Sequence, residues 1–258
     1  MPLDTSSYNL AHLRIDGRRW NELRHLTGQI GTQAAADGSS YLEMGNTKVL
    51  CTVIGPAEST TASRRGGRAS EQTSSARVDV EIDVAGFAAS GDRRRRARGD
   101  KRTTELAHLL TTTFSSALFT HLFSHSTIAI TLHVLSSDGS LLAALINAAT
   151  LALVDAGVPM PDYVAAVTAG STATYASNDG EADPLLDLSG AEETELPFLT
   201  IATVGKGKVA CLLMETRVQA ARLEAMVAVA VDGCAEVRKL LDEIVRAHGK
   251  DMISKSVR

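Results

Sequence analysis

In ADGSSYLEMGNTKVLCTVIGP, residues 36–56, the part from Tyr41 onward reads as a β-hairpin. Gly45-Asn46 is a turn pair, and the runs on either side are rich in Val, Leu and Thr. Downstream, ARVDVEIDVAGF (76–87) alternates strictly. Val78, Val80, Ile82 and Val84 share one face and Arg77, Asp79, Glu81 and Asp83 the other, the pattern of a half-buried strand. Residues 57–75, rich in Ser, Thr, Gly and Arg, read as a loop between the two. DKRTTELAHLLTTTFSSAL (100–118) has helical spacing at Leu106, Leu109/Leu110 and Phe114, with Asp100 placed to cap it. STIAITLHVLSS (126–137) is another alternating strand, and SSDGSLLAALINAATLALVDAG (136–157) reads as a turn that opens an amphipathic helix.

After a turn at Gly157–Pro161, YVAAVTAGSTATY (163–175) returns as a strand. Short strands follow near 184–188, 198–204 and 208–214. The chain closes on a long helix whose stripe Leu223, Val227, Ala230, Cys234, Val237, Leu241 and Ile244 steps by alternating four and three, the mark of core packing. Many short strands with few helices argue an α+β fold of mixed sheets with packed helices. A hairpin–strand–helix order shows in each half, and no Pro/Gly linker separates them, so one domain of two similar halves is expected. Its bounds are 14–248, after a lead-in at 1–13 and before a tail at 249–258.

With 258 residues and 44% hydrophobic composition the chain can bury a sizeable core. No apolar run approaches the roughly 20 residues that cross a bilayer, and MPLDTSSYNL lacks the pattern of a signal peptide. A soluble protein of cytoplasm or nucleus, with no membrane partner, is the expectation. Cys51, Cys211 and Cys234 lie far apart in apolar stretches and read as buried, reduced thiols. His121 and His125 are four apart, but no acid or thiol lies close in sequence. No metal site and no cofactor are expected.

The net charge of −4 conceals a local excess: in DRRRRARGDKR (92–102), seven of the ten residues from Arg93 to Arg102 are basic. Arg64, Arg65 and Arg68 in ASRRGGRAS form a second basic segment, and the two together could track a phosphate backbone. Asp138, Gly139 and Ser140 raise a different question. They stand at a helix start, where backbone N–H groups and the positive end of the dipole suit an anion. Yet Leu141 and Leu142 stand where a cation would be expected.

RIDGRRWNELR (14–24), ADGSSYLEMGNTKVLCTVIGP (36–56), GDKRTTEL (99–106) and LVDAGV (153–158) resemble the RNase PH family, and within it the ring subunits of the eukaryotic exosome core. The likeness runs from about residue 14 to 248. It implies the RNase PH-like fold (ribosomal protein S5 domain 2-like) and a six-membered ring of paired family members that threads RNA through its centre. Active members degrade RNA from the 3′ end by phosphorolysis, with inorganic phosphate as nucleophile. That chemistry needs a cradle for a dianion and carboxylates with a divalent ion for the leaving oxygen.

On the family's pattern the phosphate-gripping Arg falls on Leu142, and the two catalytic acids fall on Thr194 and Thr200. An apolar side chain cannot pair with a dianion, and a hydroxyl does not replace a carboxylate as a hard-metal ligand. A shifted register would bring acids from Asp187, Glu192, Glu193 and Glu195 into play, but no shift supplies the Arg. Lys101 and Arg102 match a pair that contacts RNA phosphates in the family, and Arg64 and Arg65 fall in the loop lining the ring entrance. Arg93, Arg94, Arg95, Arg96 and Arg98 depart from the family by their density, and either strengthen phosphate contact or form a plain surface loop.

The resemblance therefore implies a non-catalytic RNA-binding ring subunit that guides RNA to a separate 3′–5′ exoribonuclease for rRNA processing and RNA degradation, mRNA decay included. The alternative is an active phosphate-dependent 3′–5′ exoribonuclease. Implied partners are RNA, other RNase PH-like subunits, cap subunits of S1/KH type and the separate nuclease. The implied locations are the nucleus, nucleolus included, and the cytoplasm.

Overall fold

The computed structural model of the chain describes residue 14 and residues 16–58, 75–88, 100–172, 184–205 and 207–256. Strands β1 (Leu26–Ile30), β2 (Gly38–Met44), β3 (Thr47–Glu58), β4 (Arg77–Val84) and β5 (Ser126–Ser136) make a first sheet in the order β1-β2-β3-β5-β4. Strands β6 (Val164–Ser171), β7 (Pro184–Leu186), β8 (Phe198–Val204) and β9 (Lys208–Met214) make a second, in the order β7-β6-β8-β9. The helices are α1 (Lys101–Ala117), α2 (Leu141–Asp155), α3 (Gly190–Glu195) and α4 (Ala220–Ser256). The hairpin forms as its turn chemistry demands: β2 pairs antiparallel with β3, and Gly45 takes a left-handed φ of 59° at the turn. The halves share a plan of sheet plus helices but differ in detail. The first holds a parallel pair, β4 with β5, across the α1 crossover, whereas the second pairs antiparallel throughout.

Helix α2 departs from the amphipathic expectation. Twelve of its 15 residues are buried, because it packs against β2 and β3 of one sheet and β6 of the other. A helix taken up on all sides must be apolar all round, and its two polar interior residues have specific work. Strand β7 pairs only with Ala169–Ser171, which leaves the first half of that β6 edge without a neighbouring strand. Asn147 fills the place, donating from Nδ2 to the Ala166 carbonyl at 2.9 Å and accepting the Ala166 N–H at 2.8 Å. Thr150 Oγ1 donates to the Val164 carbonyl at 2.8 Å. Unpaired buried backbone groups are thereby avoided.

The start of β2 lies so close to the end of α2 that a Cβ on Gly38 would fall on the Ala152 carbonyl oxygen and the Ala156 backbone nitrogen. Helix α4 packs against β6, β7, β8 and β1, and it buries Met226, Ala230, Cys234, Val237 and Leu241 from the expected stripe and its flank. It runs unbroken to Ser256, past the expected boundary at 248. Cys51 and Cys234 are buried and Cys211 half-buried, all as free thiols. Among the described residues no helix is long and apolar enough to cross a membrane, and no group of His, Cys, Asp or Glu is arranged to hold a metal ion.

Candidate functional site

The start of α2 is held by residues distant in sequence. Arg24 donates from its backbone N to Asp187 Oδ2 at 2.9 Å, and from Nε and Nη2 to the same carboxylate at 3.1 and 2.8 Å. Its Nη1 reaches the Asp138 carbonyl at 2.5 Å, while Ser140 Oγ donates to Asp187 Oδ1 at 2.9 Å. Asp187 is buried, which by itself pushes its carboxyl pKa up. The Arg24 charge and the hydrogen bonds from Arg24 and Ser140 outweigh that and hold it below the ordinary carboxylate range.

A second buried pair lies alongside: Arg14 donates from Nε to Glu192 Oε1 at 2.9 Å, and from Nη2 to both Glu192 Oε2 and the Asp187 carbonyl. These pairs stabilise a bent backbone in which Gly139, Ser140 and Asp187 all have φ between 51° and 76°. Two of the three are not glycine, so the surrounding bonds must offset a left-handed conformation that costs about 1–3 kcal/mol at each such residue. Gly139 allows the close approach, since a Cβ there would come within 2.6 Å of the Leu188 carbonyl oxygen.

The anion position at this helix start is occupied. The Ser140 N–H donates to Glu193 Oε1 at 2.5 Å, so a carboxyl group of the chain itself sits against the positive end of α2. Burial raises the Glu193 pKa, and the Ser140 N–H together with the Arg24 and Arg102 charges offset it only in part. Helix α3 delivers the group: Ser189 and Glu192 form a reciprocal capping box, which turns the next residue, Glu193, toward α2.

Around Glu193 is a narrow cleft of about 50 Å³, room for little more than a water or two. Its walls are apolar, with Leu106 and Leu109 from α1, Leu141 and Leu142 from α2, Phe198 from β8 and Leu213 from β9. Arg102, Glu105, Thr200 and Glu215 complete the lining. The structure thus brings together Leu142, Thr200 and Arg102 of the residues singled out in the sequence. Thr200 is buried and its hydroxyl pairs with that of Thr168 at 3.1 Å. Thr194 lies elsewhere, on the exposed side of α3, with its hydroxyl bonded to the Gly190 carbonyl at 2.9 Å. Of the nearby acids, Asp187 and Glu192 are committed to arginines, and Glu193 alone of that cluster lines the cleft.

Lys101 and Arg102 open α1, both exposed and neither in an ion pair among the described residues. Cations in a first turn oppose the helix dipole by some tenths of a kcal/mol each. Their position strengthens the positive potential at this end of the helix rather than stabilising it. Arg64, Arg65, Arg93, Arg94, Arg95, Arg96 and Arg98 lie outside the described residues.

Residues 22–159 match the RNase PH profile, described as the 3′ exoribonuclease family, domain 1. The chain belongs to this family. Over nearly its whole length the family member is similar to curated relatives. It is 41% identical over 240 residues to the human "Exosome complex component RRP41", covering 92% of each chain. It is 38% identical over 247 residues to "Exosome complex component ski6" of Schizosaccharomyces pombe, covering 95% of this chain and 96% of the relative. A crystal structure of rice Rrp46 matches it with a TM-score of 0.72 at 24% identity, over 89% of this chain and 98% of the other, and so shares the RNase PH fold. The α+β architecture of mixed sheets with packed helices, expected from the sequence, is the architecture of this family.

Arg14 and Arg24 carry much of the site's geometry and were not assigned to it from the sequence, and Glu193 entered there only as one of four acids of a shifted register. The Ser-x-x-Glu spacing of Ser189 and Glu192 was the available signal for α3, because it marks a helix start.

Proposed function

We propose that this family member is a non-catalytic subunit of an exosome ring that binds RNA and guides it to a separate 3′–5′ exoribonuclease. The 38% and 41% identity to named exosome components over more than nine-tenths of each chain supports the ring assignment. The observation that carries the loss of phosphorolysis is the Ser140 N–H on Glu193 Oε1 at 2.5 Å, beside Leu142. An incoming phosphate would have to displace a carboxyl group already bonded there, with no arginine at position 142 to replace that interaction. Among the described residues, the carboxyl groups of Glu105, Glu193 and Glu215 line the cleft against one cation, Arg102, a balance that disfavours a dianion. Glu193 is also the one observation in favour of an active phosphate-dependent exoribonuclease, since it is an acid inside the cleft.

Positive charge persists at the approach. Lys101 and Arg102 are exposed at the start of α1 and form no ion pair among the described residues, with Arg102 at the cleft itself. RNA held there would be bound through phosphates, without sequence preference and with strong salt dependence. The same reading proposes RNase PH-like ring neighbours, S1/KH-type cap subunits, roles in rRNA processing and RNA and mRNA decay, and residence in nucleus, nucleolus and cytoplasm.

The test is the double variant Lys101→Glu, Arg102→Glu in the reconstituted ring. Labelled single-stranded RNA should bind about tenfold or more weaker at low salt, and the slope of log K against log salt should fall by about two, one for each lost phosphate contact. Size-exclusion profiles should show an intact ring. Unchanged RNA affinity in an assembled ring would make the chain a purely structural member.

A further inference from the structure

Trp20 is the single tryptophan of the chain and is 42% exposed. One exposed apolar side chain is ordinary on a protein surface, but three features distinguish this one.

Its turn is fixed. The Trp20 carbonyl accepts the Leu186 N–H at 2.8 Å, Arg18 Nη1 donates to the Glu22 and Asp187 carbonyls at 3.1 Å, and the Arg19 N–H donates to Glu22 Oε2 at 3.0 Å. The neighbouring charge is unbalanced. Arg14, Arg18 and Arg24 are paired with Glu192, Asp16 and Asp187, whereas the exposed Arg19 guanidinium has no ion pair among the described residues. The place is close to the cleft. Asp187 accepts Arg18 on its carbonyl and Ser140 on its carboxylate, so one residue separates the Trp20 turn from the start of α2.

We infer that Trp20 is a stacking platform for an unpaired nucleobase of single-stranded RNA, with Arg19 on the adjoining phosphate. The inference rests on the RNA-guiding reading above and extends it by one contact. An exposed indole next in sequence to an exposed arginine, without an ion pair among the described residues, offers a π-face for a base and a cation for the backbone, the pairing that sequence-tolerant single-strand binders use. A protein partner is the poorer fit, because Arg19, Asn21 and Glu22, which flank Trp20 in sequence, are all exposed and polar. The fixed turn means that little ordering is needed when a base arrives.

Since the chain has one tryptophan, its emission reports on this ring alone. The full-length chain is titrated at low salt with a single-stranded oligouridine and with an abasic oligonucleotide of equal length, and binding is followed independently by anisotropy of a dye on the nucleic acid. Oligouridine should quench the indole emission and the abasic strand should not. Trp20→Ala should weaken oligouridine binding about tenfold and leave the abasic strand unaffected, while Trp20→Phe should keep most of the affinity. Unchanged emission while anisotropy reports binding, or equal affinities of wild type and Trp20→Ala, would overturn the stacking step and leave RNA guiding in place. A wild-type chain that binds neither strand would overturn both. Should Trp20→Ala fail to fold, the emission of the wild type and the affinity of Trp20→Phe still decide.

Discussion

Arg24→Ala is expected to destabilise the protein by about 3–5 kcal/mol, measured by denaturant unfolding at neutral pH. The substitution removes three donor nitrogens at once, Nε, Nη1 and Nη2, and leaves the Asp187 carboxylate, 1% exposed, without its cation. The backbone N–H of residue 24 and Ser140 Oγ remain, but neither neutralises the charge.

The sign of the pH dependence follows from the same geometry. In the wild type the Asp187 pKa is depressed on folding, so its contribution is present above the unfolded pKa and is lost as pH falls through the folded one. In Arg24→Ala, burial is opposed only by the residue-24 N–H and Ser140 Oγ, and the carboxyl is protonated more readily. The stability gap between the two proteins should therefore shrink on acidification. The double variant Arg24→Ala, Asp187→Asn, which buries no charge, should be more stable than Arg24→Ala alone. A gap that widens toward acid pH would mean that the pair does not carry the start of α2.

Gly38→Ala is the second large effect, expected at about 3 kcal/mol or more and read as a lowered unfolding midpoint at unchanged m-value. The added methyl would meet the backbone of Ala152 and Ala156, and the Ala156 Cβ at 2.7 Å. Backbone cannot rotate aside as the end of a side chain can. Relief would require moving β2 away from α2, the helix that both sheets share, and it would strain the Ser39 N–H bond to Asp155 Oδ2 at 2.8 Å. An alanine accommodated with less than about 1 kcal/mol of loss would show that this contact is looser than described.

These positions also show where the sequence was readable. The hairpin at 41–56 was legible because Gly45-Asn46 carries its own conformational signal, and β4 and β5 were legible from alternation. Strand β1, LTGQI, carries no such pattern. Its Gly28 lies against Ile244 and Leu151, and its pairing with β2 is set by tertiary contact rather than propensity. The amphipathic reading of α2 failed because Asn147 and Thr150 look like a solvent face, whereas they complete the backbone bonding of β6.

At the site, Leu142 and Thr200 could be located from local motifs, but Arg24 and Asp187 stand 163 residues apart, so no spacing rule joins them. From the sequence the helix start read as suited to an anion but emptied, because Leu142 stands where a cation would be expected. That the anion would be Glu193 depends on how α3 folds back onto α2, which a linear pattern does not express.

The deciding measurement is orthophosphate-dependent release of nucleoside diphosphates from single-stranded RNA by the reconstituted ring, with Mg²⁺ present. The proposed function predicts no diphosphate from this subunit, alongside RNA binding that falls when Lys101 and Arg102 become glutamate. Diphosphate release that disappears with Glu193→Ala would contradict it, and would make Glu193 a catalytic acid rather than the carboxyl group that fills the phosphate position.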